Sequence, residues 1–137
     1  MAETIHFELV SPSARLAAVE ADAVTVPAAE GDLTAMPMHA PFLSALRPGV
    51  VVVSSGGAET RYVVTGGFVE ITNEQVGIIA EDAAEADKVD AAWIDSRTEA
   101  ADKALEDLTV EDERYQPAAQ LAADLRQLKE MLSIRGH

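Results

Sequence analysis

The chain has 137 residues, enough for one ordinary domain or two small units. Hydrophobic residues make up 48% and aromatics only 4%, so a core is attainable but must be built from Val, Ile, Leu and Ala. The 24 acidic residues against 10 basic ones give a net charge of −14, a surface that repels nucleic-acid phosphates and anionic lipid head groups, and the absence of cysteine removes disulfides and thiolate chemistry.

The start, Met1-Ala2-Glu3-Thr4-Ile5-His6, has no basic n-region and no apolar stretch, so no secretory signal is expected. No apolar run approaches the roughly 18–20 residues needed to span a bilayer. The bacterial or organellar interior is the expected location.

Thr4–Val10 alternates, with Ile5, Phe7 and Leu9 on one face and His6 and Glu8 on the other, and Ser11-Pro12 closes it. Residues 16–26 carry Leu16, Val19, Val24 and Val26 ahead of Pro27, and Ala28–Asp32 reads as a loop around Gly31. Arg47-Pro48-Gly49 is a turn before Val50–Val53, and Gly56-Gly57 is a hairpin signal. Arg61–Thr65, Gly67–Thr72 and Gln75–Ala80 follow as strands, with Asn73-Glu74 as a tight turn. Roughly six to ten short strands with no helical period between them imply antiparallel pairing in a sandwich or barrel. Val50–Val53 puts valine on both faces of its sheet, so the second face needs cover from the chain or from a partner.

The character changes near Ala80–Asp87. Ile94, Thr98, Ala101, Leu105 and Leu108 form one narrow stripe, and Ala118, Leu121, Leu125, Leu128 and Leu132 form another, both at helical steps of three and four. Pro117 suits the first turn of the second helix, residues 109–116 form the connection, and Gly136 ends it. The expected fold is α+β: an antiparallel β-sandwich over residues 1–86, then an antiparallel α-helical hairpin over 87–137. Residues 81–113 hold 13 acidic side chains against Lys88, Arg97 and Lys103, read most simply as a solvated acidic face.

Sites for chemistry are absent from the pattern. There is no phosphate-binding glycine loop, and Gly66-Gly67 does not open a helix. His6, His39 and His137 have no second ligand at metal spacing, and Ser44, Ser54 and Ser55 lack a nucleophile context. No catalytic residue, cofactor or metal is assigned.

One set of motifs is more specific. Val26-Pro27-Ala28-Ala29-Glu30-Gly31-Asp32-Leu33 leads to Met36-Pro37-Met38-His39-Ala40-Pro41-Phe42-Leu43 and Leu46-Arg47-Pro48-Gly49; then come Gly66-Gly67-Phe68-Val69-Glu70-Ile71 and Val76-Gly77-Ile78-Ile79-Ala80-Glu81-Asp82-Ala83. In this order, and over its whole length, the chain resembles the epsilon subunit of bacterial F-type ATP synthase. The resemblance implies a non-catalytic rotor subunit at the foot of the central stalk, on the cytoplasmic face of the membrane. It implies as partners the gamma subunit, the polar loops of the c-ring and, through an extended hairpin, the beta subunits of the catalytic head. It also implies that Glu30, Gly31, Asp32 and His39 face the c-ring. Read from the residues alone, Glu30-Gly31-Asp32 is a turn and His39 its cap.

Two departures stand out. Some members of that family bind ATP through Ile/Leu-Asp-x-x-Arg-Ala, whereas Ile94-Asp95-Ser96-Arg97-Thr98-Glu99 places its arginine one residue early, about 100° away around a helix. Thr34 and Met38 stand where the family's loop has glycines, so a different loop backbone is expected. The competing readings are a nucleotide-sensing regulator and an unrelated enzyme or adaptor on a sandwich scaffold.

Overall fold

A computed structural model describes residues 3–134, with side chains through Leu132; Gly136 and His137, named above, lie outside the described residues. The chain divides into two compact units, one ending at Ala86 and one beginning at Asp87.

The first unit holds ten strands: β1 Ile5–Ser11, β2 Ala14–Ala21, β3 Ala23–Ala28, β4 Gly31–Ala35, β5 Phe42–Leu46, β6 Gly49–Ser55, β7 Ala58–Val64, β8 Gly67–Ile71, β9 Gln75–Ala80 and β10 Ala83–Glu85. They run in the order β10-β7-β6-β3-β5-β8-β9-β1-β2, with β4 pairing β3. The sheet folds into two layers at β3 and β5, which share a single register pair, Ala28 with Leu46. At the far end, the Ser55 hydroxyl donates to the Glu20 carbonyl and the Gly56 N–H donates to the Asp22 carboxylate, both at 3.0 Å, which nearly closes the barrel.

The alternation anticipated for the first strand holds: Ile5, Phe7 and Leu9 are fully buried. Val51 and Val53 point inward while Val50 and Val52 are half-buried on the outer side. The core is Val, Ile, Leu and Ala around one aromatic pair, Phe7 and Tyr62, whose rings stand 6.1 Å apart and join the two layers.

The structure corrects several local expectations. Residues 16–26, given no element bounds by their sequence pattern, divide between β2 and β3, which meet at a bend at Asp22. The loop assigned to Ala28–Asp32 shrinks to Ala29-Glu30, since Gly31–Ala35 pairs with β3. Phe42–Leu46 is a further strand, paired with β8. Pairing is antiparallel except between β1 and β9, which run parallel from His6 opposite Gln75 to Val10 opposite Ile79. Local hydrophobic periodicity carries no information about strand direction, so this pair was invisible in the sequence.

The second unit is a helix pair, α1 Ala91–Glu106 and α2 Tyr115–Ile134. Asp90 caps α1 by accepting the Trp93 N–H at 2.8 Å. The connection is residues 107–114 rather than 109–116, so Leu108 lies beyond the helix. Pro117 is the third residue of α2, where its missing N–H leaves no hydrogen bond unmade. Ala101, Ala122 and Leu125 form the buried seam, flanked by Leu105 and Leu121. Asp95 pairs with Lys129 at 2.8 Å and Asp102 with Arg126, ladder rungs that require antiparallel helices.

Candidate functional site

The residues assigned to a partner contact fall at two places. β3 and β4 form a hairpin whose turn is Ala29-Glu30; Gly31, at φ +142°, starts the return strand. Asp32 extends outward from β4 and pairs with Arg47 at 3.0 Å, while the Arg47 Nε donates to the Ala28 carbonyl at 2.8 Å. The Ala29 N–H donates to the Ser44 hydroxyl at 3.2 Å, so the hairpin tip is pinned to β5. Asp32 therefore presents an exposed carboxylate whose charge is shared with a neighbouring guanidinium.

His39 lies at the other end of β4. Its N–H donates to the Met36 carbonyl at 3.1 Å, closing a four-residue turn with Pro37 second and Met38 third. Met38 has φ +69°, the left-handed conformation that a third turn position of this kind asks of glycine. The Met38 N–H donates to the Asn73 carbonyl at 2.9 Å, which ties the loop to the β8–β9 turn. The His39 ring contacts the adjacent Ala40 carbonyl and so stays local. Thr34, by contrast, is ordinary strand, its hydroxyl 2.8 Å from that of Thr25. Leu33, Thr34 and Ala35 of β4 separate Asp32 from the turn that carries His39, a strand rise of about 10–13 Å, so the structure does not bring them into one site.

A third surface was missed in the sequence. On the outer face of β5, β8, β9 and β1, Phe68 is 60% exposed, Ile79 67% and Leu43 71%. Register makes them neighbours: Phe68 pairs with Ile79, and Ile79 pairs with Val10. A groove of about 410 Å³ runs along this face, lined also by Glu8, Glu70, Gln75 and Gly77. Large apolar side chains standing together in water mark an interaction surface. The signal was present: if Val69 and Ile71 fill the core, Phe68 must face away, and of the adjacent Ile78 and Ile79 one must do the same.

At one edge of that face His6 sits between two carboxylates, with Nδ1 2.7 Å from Glu20 and Nε2 3.2 Å from Glu8. These bonds, Glu20 first, raise the His6 pKa, and His6 in turn lowers that of Glu20.

On α1, Arg97 lies over the Trp93 ring at 3.8 Å and donates to the Trp93 carbonyl at 3.0 Å. The Thr98 hydroxyl donates back to the Ile94 carbonyl at 3.0 Å. Among the described residues no group of acidic, histidine or cysteine side chains could hold a metal ion, and no helix is long and apolar enough to cross a membrane.

Residues 4–86 match the family model described as ATP synthase, Delta/Epsilon chain, beta-sandwich domain. A curated relative from Ruegeria sp. (strain TM1040), named ATP synthase epsilon chain, is 42% identical over 137 residues, covering 98% of this chain and all of the relative. Two solved assemblies contain chains of the same fold. One is the Euglena gracilis mitochondrial ATP synthase OSCP/F1/c-ring, with TM-score 0.70 and 21% identity over 94% of this chain and 81% of that one. The other is the Tetrahymena thermophila mitochondrial ATP synthase central stalk and c-ring, with TM-score 0.65 and 16% identity over 93% of this chain and 97% of that one.

Proposed function

Because the chain belongs to the ATP synthase delta/epsilon chain family, we propose that it is a non-catalytic central-stalk subunit of a proton-translocating F-type ATP synthase, one that turns with the rotor and helps couple proton flow to ATP synthesis. The observation that carries the reading is the apolar outer face around Phe68, Ile79 and Leu43. A stalk element has to be gripped along its side, and this face offers a broad apolar surface on a close-packed, stiff body. On this reading the gamma subunit docks there, at the cytoplasmic face of the membrane.

Glu30, Gly31 and Asp32 form one contact with the c-ring and His39 a second. Two contacts about 10–13 Å apart suit a ring that presents repeated loops better than a single pocket. The helix pair is the arm that can reach the beta subunits of the catalytic head. The test is copurification: the catalytic head should carry this chain in equal amount with gamma, and Phe68→Glu should release it. A Phe68→Glu chain that stays bound at wild-type strength overturns the assignment of this face.

A further inference from the structure

Two glycines in neighbouring strands make an instructive contrast. At Gly67, φ is +124° and a Cβ would fall 2.1 Å from the Ile79 carbonyl oxygen, so the fold itself demands glycine. Gly77 has neither constraint. It lies in the middle of β9 without a left-handed φ, and the nearest atom to a Cβ there would be the flexible end of Gln75, at 3.4 Å. Glycine inside a strand costs up to about 1 kcal/mol in strand preference, and nothing in this fold uses the missing side chain.

Register shows what the gap creates. Gly77 pairs with Glu70 on one side and with Glu8 on the other, so the row across the sheet reads Glu70, Gly77, Glu8. The two carboxylates thus rise from strands about 9.6 Å apart with an empty floor between them. The next row is apolar: Phe68, Ile79, Val10. Glu70 has no ion-pair partner among the described residues, and Glu8 has only His6.

We infer that Gly77 is the floor of a slot that receives a lysine or arginine side chain of the polypeptide docked on this face. The aliphatic stem lies along Ile79 and Phe68, and the cationic head sits between Glu8 and Glu70. A long side chain with an apolar stem and a charged tip fits a slot whose wall is apolar and whose two sides are anionic. A neutral or acidic side chain would leave Glu70 desolvated without a partner and Glu8 with His6 alone. This rests on the docking of the partner stalk subunit proposed above and specifies the chemistry of that contact.

The experiment uses the full-length chain and the catalytic head stripped of it, with affinity measured at low and at moderate salt. Gly77→Leu fills the slot without straining the backbone. It should weaken binding by about tenfold or more while leaving the unfolding midpoint of the free chain unchanged or raised; Gly77→Ala should weaken it by about threefold or less. The pair Glu8→Gln with Glu70→Gln should lower affinity by a similar factor and flatten its dependence on salt. The slot is disproved if Gly77→Leu binds within about twofold of wild type, or if the double glutamine variant keeps the wild-type salt dependence. If Phe68→Glu abolishes binding while both slot variants bind normally, the face is the dock and only the slot is wrong. If the wild-type chain does not bind the stripped head, the docking reading fails and takes the slot with it.

Discussion

Arg47 reaches from the turn after β5 to Asp32 in β4 and holds its carboxylate at 3.0 Å while also donating to the Ala28 carbonyl. Asp32, an exposed residue among those assigned to the c-ring, is thus already half of an ion pair. With the Asp32 side chain 72% exposed, the pair itself contributes no more than about 1 kcal/mol. Asp32→Asn should hardly change the urea midpoint, and Arg47→Ala should cost about 1–2 kcal/mol, because it also strips the Ala28 carbonyl of its donor. Asp32→Arg should lower proton-driven ATP synthesis in reconstituted vesicles while leaving gamma binding intact. Unchanged synthesis would remove Asp32 from the contact.

Met38 holds a left-handed backbone that costs an L-residue roughly 1–2 kcal/mol. Met38→Gly should therefore stabilise the chain by about 0.5–1 kcal/mol in urea unfolding, after the extra chain entropy of glycine is subtracted. A destabilised variant would mean that the exposed methionine side chain holds the loop in place.

Gly67 gives the opposite sign. A Cβ there overlaps the Ile79 carbonyl in the adjoining strand, and relief requires β8 and β9 to part. Gly67→Ala should cost about 3 kcal/mol or more, or prevent folding, as read by circular dichroism and thermal unfolding.

The His6–Glu20 pair makes a prediction in pH. The raised His6 pKa stabilises the fold fully below the ordinary histidine value of 6.5 and loses that contribution as pH rises through the folded value. The lowered Glu20 pKa stabilises above its ordinary 4.5 and is lost as pH falls through the folded value. Both contributions are complete only between these limits. The stability gap between wild type and His6→Gln should be widest from about pH 4.5 to 6.5 and shrink on either side. Glu20 is largely exposed and His6 half-buried, so the gap should also shrink with added salt.

Arg97 is stacked on Trp93, and Thr98 and Glu99 stand at the Arg and Ala positions of the ATP-binding pattern Ile/Leu-Asp-x-x-Arg-Ala. Calorimetry with Mg-ATP should show no submicromolar binding. Tight binding would mean that Arg97 leaves the indole to meet the phosphates.

The sandwich was legible because strands with one buried face alternate, and β1 from Ile5 to Val10 and β8 throughout display that alternation. The helix pair was legible from its leucine spacing. Less legible was whatever depends on partners distant in sequence. Ala35 and Leu46 look like loop residues until the strands beside them are known, and both are buried. The site divides the same way. Motif order pointed to Asp32 and His39, yet their separation along β4 emerges only from pairing. The groove over Gly77 belongs to four strands at once, so no single stretch of sequence contains it.

The parallel pairing of β1 with β9 sets the order of events during synthesis. His6 and Gln75 are register partners, and roughly 70 residues separate them, so at about 5–20 residues per second β1 waits roughly 4–14 s for its neighbour to leave the ribosome. Until then one edge of the β1–β2 hairpin has no strand to pair with. Completion of the sandwich therefore falls late, in a single long-range closure that makes folding slow for so small a body. Nascent chains are at greatest risk of sticking to one another in that interval, and a co-translational chaperone would act on β1 before it acted on any other segment.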